Sequence, residues 1–116
     1  MQDFRNLNVW RKAHETVLLI YRLTANFPPE ERFGLRSNLR RLATEIPSAI
    51  ASGSAKRTDP EFARCLDSAI GCSAVLEYHA LLARDLEMFR EADYNRAYEQ
   101  IVEVRKMIIS LAKRIG

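Results

Sequence analysis

The side chains able to do chemistry are few and widely spaced. The chain holds two cysteines and two histidines, and Cys65, Cys72 and His79 follow one another at seven-residue intervals. On a helix that interval is a rise of about 10.5 Å, whereas a disulfide needs Cα atoms within about 7 Å. The two thiols therefore cannot pair within one helix, and the three side chains cannot share one metal ion. They read as two small buried thiols and a flanking imidazole, with free thiols fitting a reducing compartment. No Glu is followed by His three residues later, the pairing that builds di-iron sites in helical bundles. No Gly-rich phosphate loop and no Gly-x-Ser-x-Gly elbow occur. These absences predict a protein without catalytic residues, metal or cofactor.

Charge carries more information. Fourteen of the 18 basic residues are Arg, and the net charge is +3. Its distribution is uneven: residues 32–64 carry net +4, residues 65–103 net −5, and residues 104–116 net +4. Arg36, Arg40 and Arg41 fall on one side of a predicted helix, opposite Leu39 and Ile46, with Ser37 and Thr44 between them. Lys56 and Arg57 follow beyond its end. Guanidinium forks match phosphate geometry, and Arg with small hydroxyls is the usual dress of a phosphate-contacting surface. These five cations are the candidate nucleic-acid-binding residues, for RNA or DNA. No aromatic residue is interleaved with them, so base stacking is not indicated. The rival reading is a protein–protein scaffold whose charge confers solubility. Glu77, in an otherwise apolar stretch, needs a partner if buried; Arg40 or Arg41 is the expected one.

Four helical segments must position these groups. With 116 residues, one domain over 1–116 is expected. The first segment, about Asn8 to Ala25, has the stripe Trp10, Ala13, Val17, Ile20, Thr24, Phe27 and ends at Pro28-Pro29. The second, about Gly34 to Ser52, carries Leu35, Leu39, Leu42, Ile46, Ala49 and Gly53, and Pro47 predicts a kink or a break and restart. Thr58-Asp59-Pro60-Glu61 reads as a capping box opening the third. That helix runs to about Leu86 with Phe62, Leu66, Ala69, Ser73, Leu76, Ala80 and Ala83 inward. The fourth, about Glu91 to Ile115, has Tyr94, Ala97, Ile101, Val104, Ile108, Leu111 and Ile115. The 3,4 spacing and short loops predict an all-α, antiparallel, up-down-up-down four-helix bundle.

The third segment has a second stripe on its other side: Arg64, Ser68, Gly71, Val75, Tyr78 and Leu82. The first is apolar around much of its circumference at Val17-Leu18-Leu19-Ile20. A helix apolar on two sides is usually covered on both, and the second cover must come from another chain. Leu18, Leu19, Ser68, Gly71, Val75, Tyr78 and Leu82 are therefore the expected interface of a homo-oligomer. No apolar run approaches the roughly 18 residues of a membrane span, and the Met1–Phe4 start lacks a basic region followed by an apolar one. The expectation is a cytoplasmic protein with no membrane partner.

Several ordered blocks resemble a known family. Phe4-Arg5-Asn6-Leu7-Asn8-Val9-Trp10-Arg11-Lys12-Ala13-His14 is similar to the opening of the 23S rRNA-intervening sequence protein family. Phe33-Gly34-Leu35 with Leu39-Arg40-Arg41 resembles its next block. Ile46-Pro47-Ser48, Ile50-Ala51 and Gly53 resemble the third. Leu76-Glu77-Tyr78 and Leu82-Ala83-Arg84-Asp85-Leu86 resemble the block on the third helix. The resemblance implies an antiparallel four-helix bundle, often a ring-like homopentamer. A related branch, the accessory protein of diversity-generating retroelements, implies nucleic acid and a reverse transcriptase as partners. Where the family usually has Asn and Glu in the third block, this chain departs from the pattern with Ala49 and Ser52.

Overall fold

The computed structural model describes residues 3–31 and 34–115. Helix α1 spans Asn8–Thr24, α2 Leu35–Ser54, α3 Asp59–Asp85 and α4 Glu91–Ile115; single 3-10 turns cover Phe4–Asn6 and Pro29–Glu31. Consecutive helices pack on one another and α4 closes back on α1. The diagonal pairs do not meet, so the helices form a square in the order α1, α2, α3, α4, in a body 43 × 22 × 20 Å. This is the antiparallel four-helix bundle expected from the stripe spacing. Phe33, in one of the family-like blocks, lies outside the described residues.

Local chemistry sets the helix ends. The Thr58 hydroxyl accepts from the Glu61 backbone N–H at 3.3 Å and donates to the Glu61 carboxylate at 3.1 Å. Glu61 thus reaches back to the capping hydroxyl itself. At the start of α2 the N-cap is Gly34, and the Glu31 carboxylate accepts from the Leu35 N–H at 2.9 Å. Helix α3 ends in a Schellman turn: Met88 N–H donates to the Ala83 carbonyl at 2.8 Å and Glu87 N–H to Arg84 at 2.9 Å. The turn puts Glu87 at φ 62°, a conformation that costs an L-residue about 1–2 kcal/mol. Glu87→Gly is expected to raise stability by up to about 1 kcal/mol, read as a higher denaturant midpoint.

The core follows the stripes unevenly. All seven inward positions of α3 are buried, and so are Ala97, Ile101, Val104, Ile108 and Leu111 of α4. Helix α2 buries a wider face, adding Ala43, Pro47 and Ile50, while Ala49 is only half-buried. In α1 the buried line runs through Val9, Ala13, Thr16 and Ile20, leaving Trp10 and Val17 on its flank. Pro47 does not split its helix: α2 is continuous through it.

Polar ties join every adjacent pair of helices. The Thr16 hydroxyl donates to the Gln100 side chain at 3.2 Å between α1 and α4, and Arg40 donates to Thr24 at 2.9 Å between α2 and α1. The Cys72 thiol donates to Glu45 at 3.4 Å between α3 and α2. Arg105 pairs with Glu77 at 2.5 Å between α4 and α3. The last corrects the expected partner. Glu77 points toward α4, away from the outward side of α2 where Arg40 and Arg41 stand, so a cation from the fourth helix meets it.

Candidate nucleic-acid interface

Arg36, Arg40 and Arg41 line one open concave site of about 670 Å³ with Tyr21, Ser37, Thr44, Glu45 and Ser48. The site sits where the end of α1 meets the start of α2. Arg40 is fixed in its wall. Its Nε donates to Thr24 Oγ1 at 2.9 Å, its Nη2 to the Tyr21 carbonyl at 3.2 Å, and its guanidinium lies 4.4 Å from the Tyr21 ring centre. Three of its five N–H groups remain for an incoming acceptor. Burial and the neighbouring Arg36 charge pull the Arg40 pKa below its ordinary value. Among the described residues neither Arg36 nor Arg40 has a carboxylate partner, whereas Arg41 is bound by Glu45 at 2.9 Å.

The hydroxyls contribute less than their composition implies. Thr44 donates to the Arg40 carbonyl at 2.7 Å and Ser48 to the Thr44 carbonyl at 2.8 Å. Their protons are committed to the helix, so the guanidiniums and the exposed Ser37 hydroxyl are the donors left for an anion. Glu45 also holds the Cys72 thiol, which burial and then this carboxylate push above the usual thiol range. The raised pKa disfavours the thiolate, the form in which a cysteine reacts. Both cysteines are free.

Lys56 and Arg57 do not join this site. They are exposed in the turn after α2, about 22 Å of helix rise from Arg41. The five predicted cations thus form two separate places. Tyr21 is the residue that sequence reasoning missed. It lies 15 positions before Arg36 in the chain, and only the α1–α2 packing brings its ring among the arginines.

The predicted oligomer residues also divide. Ser68 and Gly71 are exposed, as are Val75 and Tyr78 at 44% and 58%. Leu82 is half-buried against the core. Leu19 is wholly buried inside its own chain, so it cannot contact another; α1 turns it inward beside Ile20. Leu18, 44% exposed, lies instead in an apolar groove of about 490 Å³ between α1 and α2 with Trp10, His14, Val17 and Pro47. This groove shares Tyr21, Thr44 and Ser48 with the arginine site.

No group of three or more potential metal-ligating side chains converges among the described residues, and no described helix is long and apolar enough to cross a membrane. A comparison with curated proteins found no match. Among solved structures the chain is similar to a protein of unknown function of the S23 ribosomal protein family from Bacteroides thetaiotaomicron. The two share 22% identity and a TM-score of 0.81, over 90% of this chain and 98% of that one. That likeness extends to the bundle as a whole. The 23S rRNA-intervening sequence protein family itself matches residues 5–110. The ordered blocks, the four-helix square and this match together place the chain in the 23S rRNA-intervening sequence protein family.

Proposed function

We propose that the protein is a non-enzymatic homo-oligomer that binds RNA or DNA through phosphate contacts at the arginine site of α2. One observation carries this reading: Arg36, Arg40 and Arg41 converge in a concave site whose lining holds one carboxylate, Glu45, and that carboxylate is bound to Arg41, so Arg36 and Arg40 have no carboxylate partner among the described residues. Holding three guanidiniums around one acid leaves an excess of positive charge that a bound anion offsets. A phosphate is the anion whose oxygens match guanidinium forks. Because the donors are side-chain cations aimed at a backbone anion, binding is largely independent of sequence. Repetition of the site around an oligomer adds avidity to contacts that are individually weak.

The test is a salt titration of binding to single-stranded RNA, duplex RNA and duplex DNA. With three arginines engaged, log affinity falls against log salt with a slope of about −2 to −3 per engaged subunit. Arg40 braces α1 against α2, so it is left intact. The double variant Arg36→Glu/Arg41→Glu reduces the magnitude of that slope by about 2 per engaged subunit, with circular dichroism confirming the fold. If the wild-type protein binds none of the three nucleic acids at low salt, the scaffold reading replaces this one.

A further inference from the structure

We propose that Glu45 is an internal competitor for the arginine site: it occupies Arg41 until a phosphate takes its place, and so sets how tightly the site binds. The inference deepens the phosphate reading above and rests on it.

The four charged groups lie in order across the outward side of α2. At about 100° per residue, Arg36 and Arg40 fall on the flank toward α1, where Arg40 bonds Thr24 and the Tyr21 carbonyl. Glu45 falls on the flank toward α3, where its Oε2 accepts from the Cys72 thiol at 3.4 Å. Arg41 stands between the flanks, and its Nη1 donates to Glu45 Oε1 at 2.9 Å. All four line one concave site. Each oxygen of the Glu45 carboxylate thus has its own partner, one in the site and one on the neighbouring helix. With Arg41 so occupied, the site offers an incoming anion two guanidiniums that have no carboxylate partner among the described residues. With Arg41 released it offers three.

The two contacts differ in how readily they break. The Arg41–Glu45 pair is open to water, with side chains 57% and 43% exposed, and exposed pairs of this kind are weak. Because Arg41 is exposed, its guanidinium turns toward Arg36 and Arg40 without disturbing the core. Cys72 is half-buried against α2. Burial, and then the Glu45 carboxylate, raise its pKa, so the thiol keeps the proton it donates. When Arg41 turns to a phosphate, Glu45 therefore stays on the Cys72 side instead of following it into the site. The phosphate gains a third guanidinium fork, yet it breaks one ion pair and comes to rest near a carboxylate. Like charge so placed weakens binding. Glu45 thus lowers the affinity of the site without closing it. Were Glu45 only an i,i+4 support for α2, its removal would shift stability and leave binding alone.

The experiment is a double-mutant cycle at Glu45 and Arg41 in the full chain, with a labelled single-stranded RNA and a labelled DNA duplex as probes at low salt. Glu45→Gln keeps the shape of the side chain, and circular dichroism confirms its fold. It is expected to tighten binding by about 5-fold or more, the effect of one unit charge removed at about 4 Å in water. Glu99→Gln removes an equal charge from the exposed side of α4, which does not touch α2, and leaves affinity unchanged. Equal tightening by both variants would mean that net charge alone is at work and overturns the proposal. Arg41→Gln weakens binding more in the Glu45→Gln background than in the wild type, by a further factor of about 2 or more, because only there is the guanidinium free before the ligand arrives. Additive effects overturn the proposal. A wild-type protein that binds neither probe removes the phosphate reading and this inference with it. A wild type that binds, with an affinity that Glu45→Gln leaves unchanged, overturns the inference alone.

Discussion

Leu76→Asp is expected to abolish the folded state, while Val75→Asp, one residue away, leaves it intact. Leu76 is fully buried in the inward stripe of α3 and Val75 is 44% exposed on the opposite side. Truncating a buried leucine costs about 2–5 kcal/mol through lost contacts and the cavity left behind. Placing a carboxylate there adds a desolvation cost of several kcal/mol. A domain of this size holds about 5–15 kcal/mol in all, so the sum reaches or exceeds what it has. Far-UV circular dichroism should show Leu76→Asp largely unfolded at room temperature and Val75→Asp with a native helical spectrum. Equal behaviour of the two variants would mean that α3 does not present Leu76 to the core.

The contrast shows why α3 was legible from sequence and other parts less so. Its inward stripe keeps one spacing for seven residues, because a long helix between two neighbours must keep one face turned to the core. At the start of α1, Trp10 packs edge-on against Phe4 at 4.8 Å on the flank, and Val9 takes the buried position. Helix α2 needs a wider apolar face because it supports both α1 and α3 closely, so Ile50 is buried where Ala49 was expected. The arginine site was half legible. Arg36, Arg40 and Arg41 are neighbours on one helix, and periodicity alone groups them. Tyr21 and Thr24, which fix Arg40, come from another helix, and no spacing rule within α2 can find them. The same limit applies to Glu77: its partner Arg105 is 28 residues away, and several arginines competed for it on paper. Lys56 and Arg57 err the other way, because closeness in sequence to α2 hid a full helix length in space.

Gly53→Ala tests the tightest point of the fold and is expected to lower stability by about 1–3 kcal/mol. Adjacent to Ser54 and Ala55, this glycine reads in sequence as a helix terminator. In the structure it is buried within α2, and no glycine among the described residues has positive φ. Its role is therefore close approach. A Cβ at position 53 would lie 2.7 Å from Phe62 Cδ1 and 2.9 Å from Cys65 Cβ. Phe62 is 5% exposed in the core, so its ring has little room to swing away, and the Cys65 Cβ moves only with its backbone. The first turns of α3 must therefore part from the end of α2, a loss that outweighs the gain in helix propensity. For a domain of this length each kcal/mol lowers Tm by about 4–8 °C, so thermal denaturation resolves the effect readily. A double-mutant cycle assigns it to the contact. Phe62→Leu removes part of the obstructing ring, so it costs less in the Gly53→Ala background than in the wild type, with a coupling of about 0.5–3 kcal/mol. A Gly53→Ala protein as stable as the wild type would show that the two helices can separate there at no cost, and that glycine is not what sets their spacing.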